Sequence, residues 1–257
     1  MINIRKFNID IKGRNNRIRK NSILLFVFIS TIFAVFLFNP NLQWNSWDTY
    51  EYINLGKSLA SGKGYREICY PHEPLGSRLP LGYPFLLSIL IRLSENIILL
   101  KCFSFISYIA NIILVYYLFK KFFRVPDKII FTLSLMFSLN PTVIKYSHII
   151  ISEIPFLLSL LVSFIFFLKY VTHDRNTNIY LILTSITIIF SWQIRSLGLA
   201  FIFAIFFYLF IKKQFSRLFH LLVITSLLLL LLLPIYKKFS GVRLSLQNYG
   251  YSSILMG

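Results

Sequence analysis

Acidic residues are scarce in this sequence. Nine Asp and Glu stand against 27 Lys and Arg, and charged residues of both signs make up only 14% of the 257 residues. A soluble domain usually has roughly one quarter charged residues. The two cysteines, Cys69 and Cys102, are too few and too unpatterned to predict a disulfide framework or a zinc site. No glycine-rich phosphate loop is present, and nothing predicts the α/β domain with which soluble transferases bind a nucleotide sugar.

Hydrophobic residues dominate the composition. They form 56% of the chain, 27 of them Phe, and the mean hydropathy is +0.69. The net charge of +18 comes from short basic clusters between apolar runs, which is the pattern of cytoplasmic loops in membrane proteins. The composition therefore predicts an all-α polytopic membrane protein whose partner is the lipid bilayer, and it argues against a nucleic-acid partner.

Seven apolar runs are long enough, or nearly so, to cross a hydrocarbon core of about 30 Å at about 1.5 Å per residue. They are 22–38, 97–119, 129–147, 154–170, 179–193, 197–211 and 218–236. A shorter run, 81–93, contains Arg92. If it crossed, the basic clusters around Lys120 and Lys212 would move outside, against the positive-inside bias. We therefore predict that 81–93 is a helix lying on the outer surface.

The N-terminal segment carries seven basic residues before the first apolar run: Arg5, Lys6, Lys12, Arg14, Arg17, Arg19 and Lys20. No small-residue cleavage motif follows the run, so we predict an uncleaved first span with the N-terminus in the cytoplasm. Seven spans would then place the loops 39–95 and 148–153 on the outer side of an inner or plasma membrane.

The loop 39–95 is the one long polar stretch, and it carries most of the acidic residues. It reads Trp-Asn-Ser-Trp-Asp-Thr-Tyr-Glu-Tyr at 44–52, Gly-Lys-Gly-Tyr at 62–65 and Arg-Leu-Pro-Leu-Gly-Tyr-Pro at 78–84. This order resembles the GT-C glycosyltransferases, which include the protein O-mannosyltransferases and the lipid A aminoarabinose transferases. Those enzymes move a sugar from a polyprenyl phosphate to an acceptor outside the cytoplasm.

The resemblance covers about residues 20–240, which correspond to the first half of those enzymes, so a truncated or unusually short member is expected. It implies a single GT-C-type transmembrane domain over 1–257 with the site in the loop 39–95. The implied partners are a polyprenyl-phosphate sugar donor and an extracytoplasmic protein, lipid or polysaccharide acceptor. The identity of the sugar and of the acceptor is not encoded in the motif.

The resemblance also implies roles for the acids of this region. Asp48 stands where the family keeps its catalytic Asp, which implies a general base for the acceptor hydroxyl. Glu51, on the same helical face, and Tyr83, in the Gly-Tyr-Pro step, are expected to support it. Glu153 is at the position of the family's second acid. The resemblance implies that it lies near the acceptor or binds a divalent metal ion together with Asp48; no other cofactor is expected. An alternative for Glu153 is an ordinary helix N-terminal acid, favoured by the macrodipole.

Two arginines are implied to hold the donor phosphate. Arg78 precedes the Pro-x-Gly-Tyr-Pro step, and Arg195 lies between two apolar runs on the predicted outer side. A guanidinium fork matches phosphate oxygens and keeps its charge. For Arg195, contact with lipid headgroups is the alternative.

Other classes of membrane protein compete with this interpretation. A polymerase or ligase of envelope polysaccharide also acts on lipid-linked sugars. A transporter or flippase would keep polar or broken helices near the midplane, whereas these runs are rich in Leu, Ile and Phe. An inactive fragment of a glycosyltransferase is a further alternative.

Overall fold

The computed structural model describes residues 47–240 without residues 75, 77, 124 and 173–176, together with residues 29, 32 and 35; for residues 235–240 it describes the backbone alone. Of these residues, 80% are helical and none is in a strand, which confirms the all-α prediction. The predicted first span, 22–38, lies outside the described residues except at residues 29, 32 and 35, which are helical.

The described chain between residues 47 and 240 forms nine α-helices and one π turn. They are α1 (Trp47–Ala60), α2 (Gly82–Leu93), α3 (Ile97–Leu118) with the π turn Phe119–Phe123, α4 (Asp127–Ser138), α5 (Pro141–Ser147), α6 (Glu153–Thr172), α7 (Thr177–Ile194), α8 (Gly198–Ile211) and α9 (Phe215–Ser240). The segment 39–95 contains two of these helices, α1 and α2.

Four described helices are long and apolar enough to cross a membrane, and the number rises to five if the bent pair α4–α5 counts as one span. The four are α3 with its π turn, α6, α7 and α9 up to Pro234. Helix α8, which corresponds to the predicted span 197–211, has only 14 residues. At about 1.5 Å per residue it is about 21 Å long, short of the hydrocarbon core of about 30 Å. The described helices therefore show a membrane protein. Of the six predicted spans that fall within residues 47–240, four or five are helices long enough to cross a membrane.

The predicted span 129–147 is broken. Helices α4 and α5 meet at an angle of 57°, and the break falls at Leu139 and Asn140. Pro141 disfavours the helical conformation at Asn140, and Asn140 is extended (φ −63°, ψ 119°). Its side-chain oxygen accepts hydrogen bonds from the backbone N–H of Thr142 (2.9 Å) and Val143 (3.4 Å), which caps the new helix. The local sequence thus ends one helix and starts another.

Helices α6 and α7 form the antiparallel centre of the bundle, with α3 against α6 and with α8 and α9 against α7. Between α6 and α7, the hydroxyls of Ser163 and Ser191 share a buried hydrogen bond of 3.2 Å. At the far end of α6, Arg217 of α9 donates to the carbonyl oxygen of Val171 at 2.8 Å. An apolar cluster unites α6, α7, α8 and α9; its buried members are Phe167, Tyr170, Leu181, Ile188, Ile202, Ile205, Leu209 and Leu221.

Helix α2 has two apolar faces. Tyr83, Leu87 and Ile91, at helical spacing, are buried against α1 and the bundle. The opposite stripe, Phe85, Ile89 and Leu93, is 45%, 47% and 76% exposed. A helix that is apolar on its outward face suits contact with lipid, and its predicted position on the outer surface stays a prediction.

Candidate functional site

Segments that are far apart in the sequence meet at one end of the bundle. These are α1, the start of α2, the loop before α6 and the end of α7. Gly82 makes the approach of α2 to α7 possible: a Cβ atom at this position would lie 2.6 Å from the carbonyl oxygen of Gln193. Any larger residue at position 82 would force α2 away from the end of α7.

The first charged group of the site is built on α1. Asp48 and Glu51 lie three residues apart, so they share a helical face. Arg78, from the loop between α1 and α2, approaches both carboxylates: its Nη1 atom is 3.0 Å from Glu51 Oε1, and its Nη2 atom is 3.4 Å from Asp48 Oδ1. The indole N–H of Trp47 also donates to Glu51 Oε1 at 2.7 Å. Glu51 is thus the anchored acid, with a side chain 12% exposed, whereas the Asp48 side chain is 46% exposed and open to an incoming group.

The second charged group joins the start of α6 to the end of α7. Arg195 Nη1 lies 2.5 Å from Glu153 Oε1, and the same nitrogen donates to the hydroxyl of Ser152 at 3.3 Å. The two side chains are 29% and 33% exposed. Arg195 therefore has a carboxylate partner within the protein, in addition to any headgroup that it meets.

Tyr52 joins α1, the helix of the first charged group, to the second charged group. Its hydroxyl shares a buried hydrogen bond of 2.8 Å with Ser152, which is also the acceptor for Arg195. Burial raises the pKa of Tyr52 to about 12, against the opposite effects of the Ser152 hydrogen bond and of the Arg195 charge. Tyr52 is therefore a neutral hydrogen-bonding link at physiological pH, rather than a base or a stacking platform.

Tyr83 lies beside Tyr52 in the same apolar cluster. It is fully buried, and its ring packs edge-on against that of Tyr52 with 4.8 Å between centroids. Burial raises the pKa of Tyr83 as well, against the effect of the neighbouring Ser104 hydroxyl. Tyr83 thus packs against Tyr52, while the supporting role predicted for it stays a prediction.

Two other residues of the loop have positions that the sequence patterns did not indicate. Glu67 lies near the first charged group: burial, and then the charge of Glu51, raise its pKa, while Arg78 lowers it. Arg92 donates to the carbonyl oxygens of Leu59 and Ala60 at 3.3 Å each. It therefore caps the C-terminal end of α1, where a cation is favoured.

The acids Asp48 and Glu153 form ion pairs with different arginines. Asp48 faces Arg78 and Glu153 faces Arg195, and in the described part of the chain no group of three or more His, Cys, Asp and Glu side chains is placed to hold a metal ion. Each charged group instead offers a carboxylate that can accept a proton and a guanidinium that can bind an anion.

No protein-family model, curated protein or solved structure matches this chain. The resemblance to the GT-C enzymes consequently stays a prediction from the loop motif, and the argument for function rests on the geometry of the site.

Proposed function

We propose that the protein is a membrane glycosyltransferase of the GT-C type, which moves a sugar from a polyprenyl-phosphate donor to an extracytoplasmic acceptor. The convergence of Asp48, Arg78, Glu153 and Arg195 at one end of the bundle supports this proposal most strongly. These four residues lie on four segments separated by up to 147 positions of sequence. Tyr52, on the same helix as Asp48, hydrogen-bonds to Ser152, which also accepts a hydrogen bond from Arg195.

In the proposed reaction, the phosphate of the donor competes with the carboxylates for the guanidinium of Arg78. Release of Asp48 from Arg78 leaves a carboxylate free to accept a proton. Asp48 takes the proton of the acceptor hydroxyl as that oxygen bonds to the anomeric carbon. The bond between the anomeric carbon and the phosphate oxygen breaks at the same time, and polyprenyl phosphate leaves with its negative charge held by the arginines.

The geometry suits this exchange because the ion pair between Asp48 and Arg78 is exposed. The Arg78 side chain is 58% exposed, and its contact with Asp48 is long, at 3.4 Å. An exposed ion pair contributes only about 0–1 kcal/mol, so a phosphate can displace it at little cost. Glu51, with a side chain only 12% exposed, would stay in place and hold Arg78 near the donor.

We propose a multi-pass orientation in an inner or plasma membrane, with the N-terminus in the cytoplasm and the site outside. Lys120 and Lys121 follow α3, whereas Asp48 and Glu153 lie at the other end of the bundle. The positive-inside bias favours the cytoplasm for the end with the lysines. The site would then face the compartment in which lipid-linked sugars are used.

The direct test uses membranes that contain the chain and a polyprenyl-phosphate donor with a radiolabelled sugar. We expect label to leave the lipid fraction, and we expect Glu153→Gln to slow this release because it weakens the contact that positions Arg195. Membranes with Glu73→Gln are the matched control, since Glu73 is an acid of the loop 39–95 whose partner is Lys63 and not Arg78 or Arg195. The proposal would be contradicted if, with the wild-type chain, the label stayed in the lipid fraction whichever acceptor fraction was added.

A transporter is the second candidate, because one observation favours it. The α4–α5 pair is a broken helix, and Asn111, fully buried in α3, donates to the carbonyl oxygen of Ile154 at 3.1 Å. Broken helices and buried amides are common where transporters bind substrate. Uptake of a lipid-linked sugar into proteoliposomes without cleavage of its phosphate bond would favour this candidate over the transferase.

A further inference from the structure

A groove runs along the exposed face of the α8–α9 hairpin. Its volume is about 690 Å³, within the range of about 300–1,000 Å³ that is usual for ligand sites. Its lining is apolar and includes Ala200, Phe203, Ala204 and Phe210 of α8 and Leu218 and Leu222 of α9. The two alanines, one helical turn apart, leave space beside Phe203, which is 63% exposed. This recess is called the hairpin groove below.

The hairpin groove is about as long as one leaflet of a membrane. Its α8 lining extends from Ala200 to Phe210, which is about 15 Å at about 1.5 Å per residue. The hydrocarbon core is about 30 Å thick, so one leaflet contributes about 15 Å. A transmembrane helix, from a second copy or from the predicted first span 22–38, would contact its partner over the whole thickness. A recess of one leaflet suits the acyl chain of a phospholipid.

A basic loop closes one end of the hairpin groove. Lys212 and Lys213 follow α8 directly, and both are exposed. At the same end, the rings of Phe210 and Phe215 pack edge-on with 5.8 Å between centroids. The sequence 198–240, which contains both helices and the loop, has no Asp or Glu. An apolar recess with two cations at its end is complementary to a lipid that has an apolar chain and a negative headgroup.

The backbone at Lys213 does not call for a lysine. Its φ is 54°, in the left-handed region. The N–H of Lys213 donates to the carbonyl oxygen of Phe210 at 2.9 Å, and the N–H of Gln214 donates to that of Leu209 at 3.0 Å. This pair of hydrogen bonds is the Schellman arrangement, in which glycine is the usual residue because it adopts a positive φ without steric cost. The lysine therefore adds a charge that the turn itself does not need.

We propose that the hairpin groove, with Lys212 and Lys213, binds an anionic phospholipid in the leaflet at this end of the bundle. One acyl chain lies between α8 and α9, and the headgroup phosphate meets the two ammonium groups. Arg217 has a different role, since it donates to the carbonyl oxygen of Val171 and joins α9 to α6. The site shares no residue with the candidate transferase site, so the proposal does not depend on that function.

The test uses the full chain in phosphatidylcholine vesicles with increasing fractions of phosphatidylglycerol that has a photoreactive group on its acyl chain. After illumination, mass spectrometry identifies the labelled peptides. We expect saturable labelling of α8 and α9, and much weaker labelling when phosphatidylcholine has the photoreactive group instead. Equal labelling by the two lipids would overturn the proposal, because the hairpin would then be an unselective lipid-facing surface.

Two variants separate the charge from the groove. Lys212→Gln with Lys213→Gly removes both charges and gives position 213 a residue suited to its backbone; we expect half-maximal labelling to need about tenfold more phosphatidylglycerol. Ala204→Leu fills the hairpin groove without a change of charge, and we expect severalfold less labelling. Circular dichroism checks the helical content of both, so either variant suffices if the other fails to fold.

The matched control is Lys121→Gln with Lys128→Gln. It removes the same number of charges from exposed lysines, which lie on the π turn and on α4. We expect labelling of α8 and α9 as in the wild type. The proposal would be overturned if the folded groove variants labelled like this control, or if α8 and α9 were not labelled at all, as when a second copy or the segment 22–38 covers them. Displacement of phosphatidylglycerol by a smaller fraction of polyprenyl phosphate would also overturn it, in favour of a site for the proposed donor.

Discussion

The contact between α2 and α7 makes a prediction about Gly82 that is independent of the proposed function. A Cβ atom at this position would lie 2.6 Å from the carbonyl oxygen of Gln193, 2.7 Å from its carbonyl carbon and 2.9 Å from its Cβ atom. Ordinary contact begins at 3.4 Å, so in Gly82→Ala the start of α2 must move away from α7 by about 0.8 Å. Backbone atoms of a packed helix end cannot rotate away as a flexible side chain can.

The displacement would be transmitted to the site through the next residue, Tyr83. If Tyr52 moves with Tyr83, the Tyr52–Ser152 hydrogen bond of 2.8 Å lengthens towards about 3.6 Å, beyond the range of a hydrogen bond. Overpacking of this kind costs about 1–3 kcal/mol. We expect Gly82→Ala to lower both the melting temperature in detergent and the rate of sugar release.

Gly56→Ala is the control, because a Cβ atom there would meet Ile91 Cδ1 at 3.0 Å and Leu87 Cβ at 3.2 Å. These contacts need a shift of only a few tenths of an ångström, most of it at the end of a flexible side chain. Thermal unfolding followed by circular dichroism compares the two variants. A Gly82→Ala protein as stable as Gly56→Ala would refute the reasoning about the α2–α7 contact.

Three other predictions follow from named contacts. Tyr52→Phe should cost about 1 kcal/mol through loss of a buried hydrogen bond. The folded-state pKa of Tyr52, about 12, is above the ordinary value of 10.0, so the contribution of Tyr52 to stability should decline as the pH rises from 10 to 12. In a pH series of unfolding curves, Tyr52→Phe should lack this part of the decline. Arg78→Ala should slow use of the donor about tenfold or more through loss of a charge-assisted phosphate contact, while Arg92→Ala should mainly destabilise the end of α1, and equal loss of sugar release in both would contradict the assignment. Cysteine labelling should reach Lys57→Cys from the outside and Lys121→Cys only from the cytoplasm, since both positions are exposed. Labelling of position 121 from the outside would show that α2 crosses the membrane.

The apolar pattern of the sequence predicts the helices well, because burial in a bilayer demands long apolar segments. The runs 154–170 and 179–193 fall within α6 and α7. The break at Asn140–Pro141 was also encoded, since a residue before proline avoids the helical conformation. It was missed because the hydrophobicity of 129–147 continues across the break.

Sequence patterns suggested the members of the candidate site but did not indicate how they pair. Asp48 and Arg78 belong to one motif, so their proximity follows from the loop alone. The contact between Arg195 and Glu153 depends on how α6 and α7 pack, which no local pattern encodes. The hydrogen bonds that Ser152 shares with Tyr52 and Arg195 depend on the same packing.

Lys101 shows another limit of the pattern. It lies inside the apolar run 97–119, where one lysine hardly alters the mean hydropathy. Its position on the buried side of α3 emerges only from the tertiary packing.

The central claim is that Asp48 accepts the proton of the acceptor hydroxyl, and transfer of radiolabelled sugar by Asp48→Asn tests it most directly. The amide keeps the size of the carboxylate and can still accept a hydrogen bond from Arg78, so the protein level and the helical content should match the wild type. Turnover should fall roughly 10²–10⁴-fold, because an amide cannot take up the proton. Glu73→Gln, the control on the same loop, should transfer sugar at the wild-type rate. Near-full transfer by Asp48→Asn at a normal protein level would contradict the account.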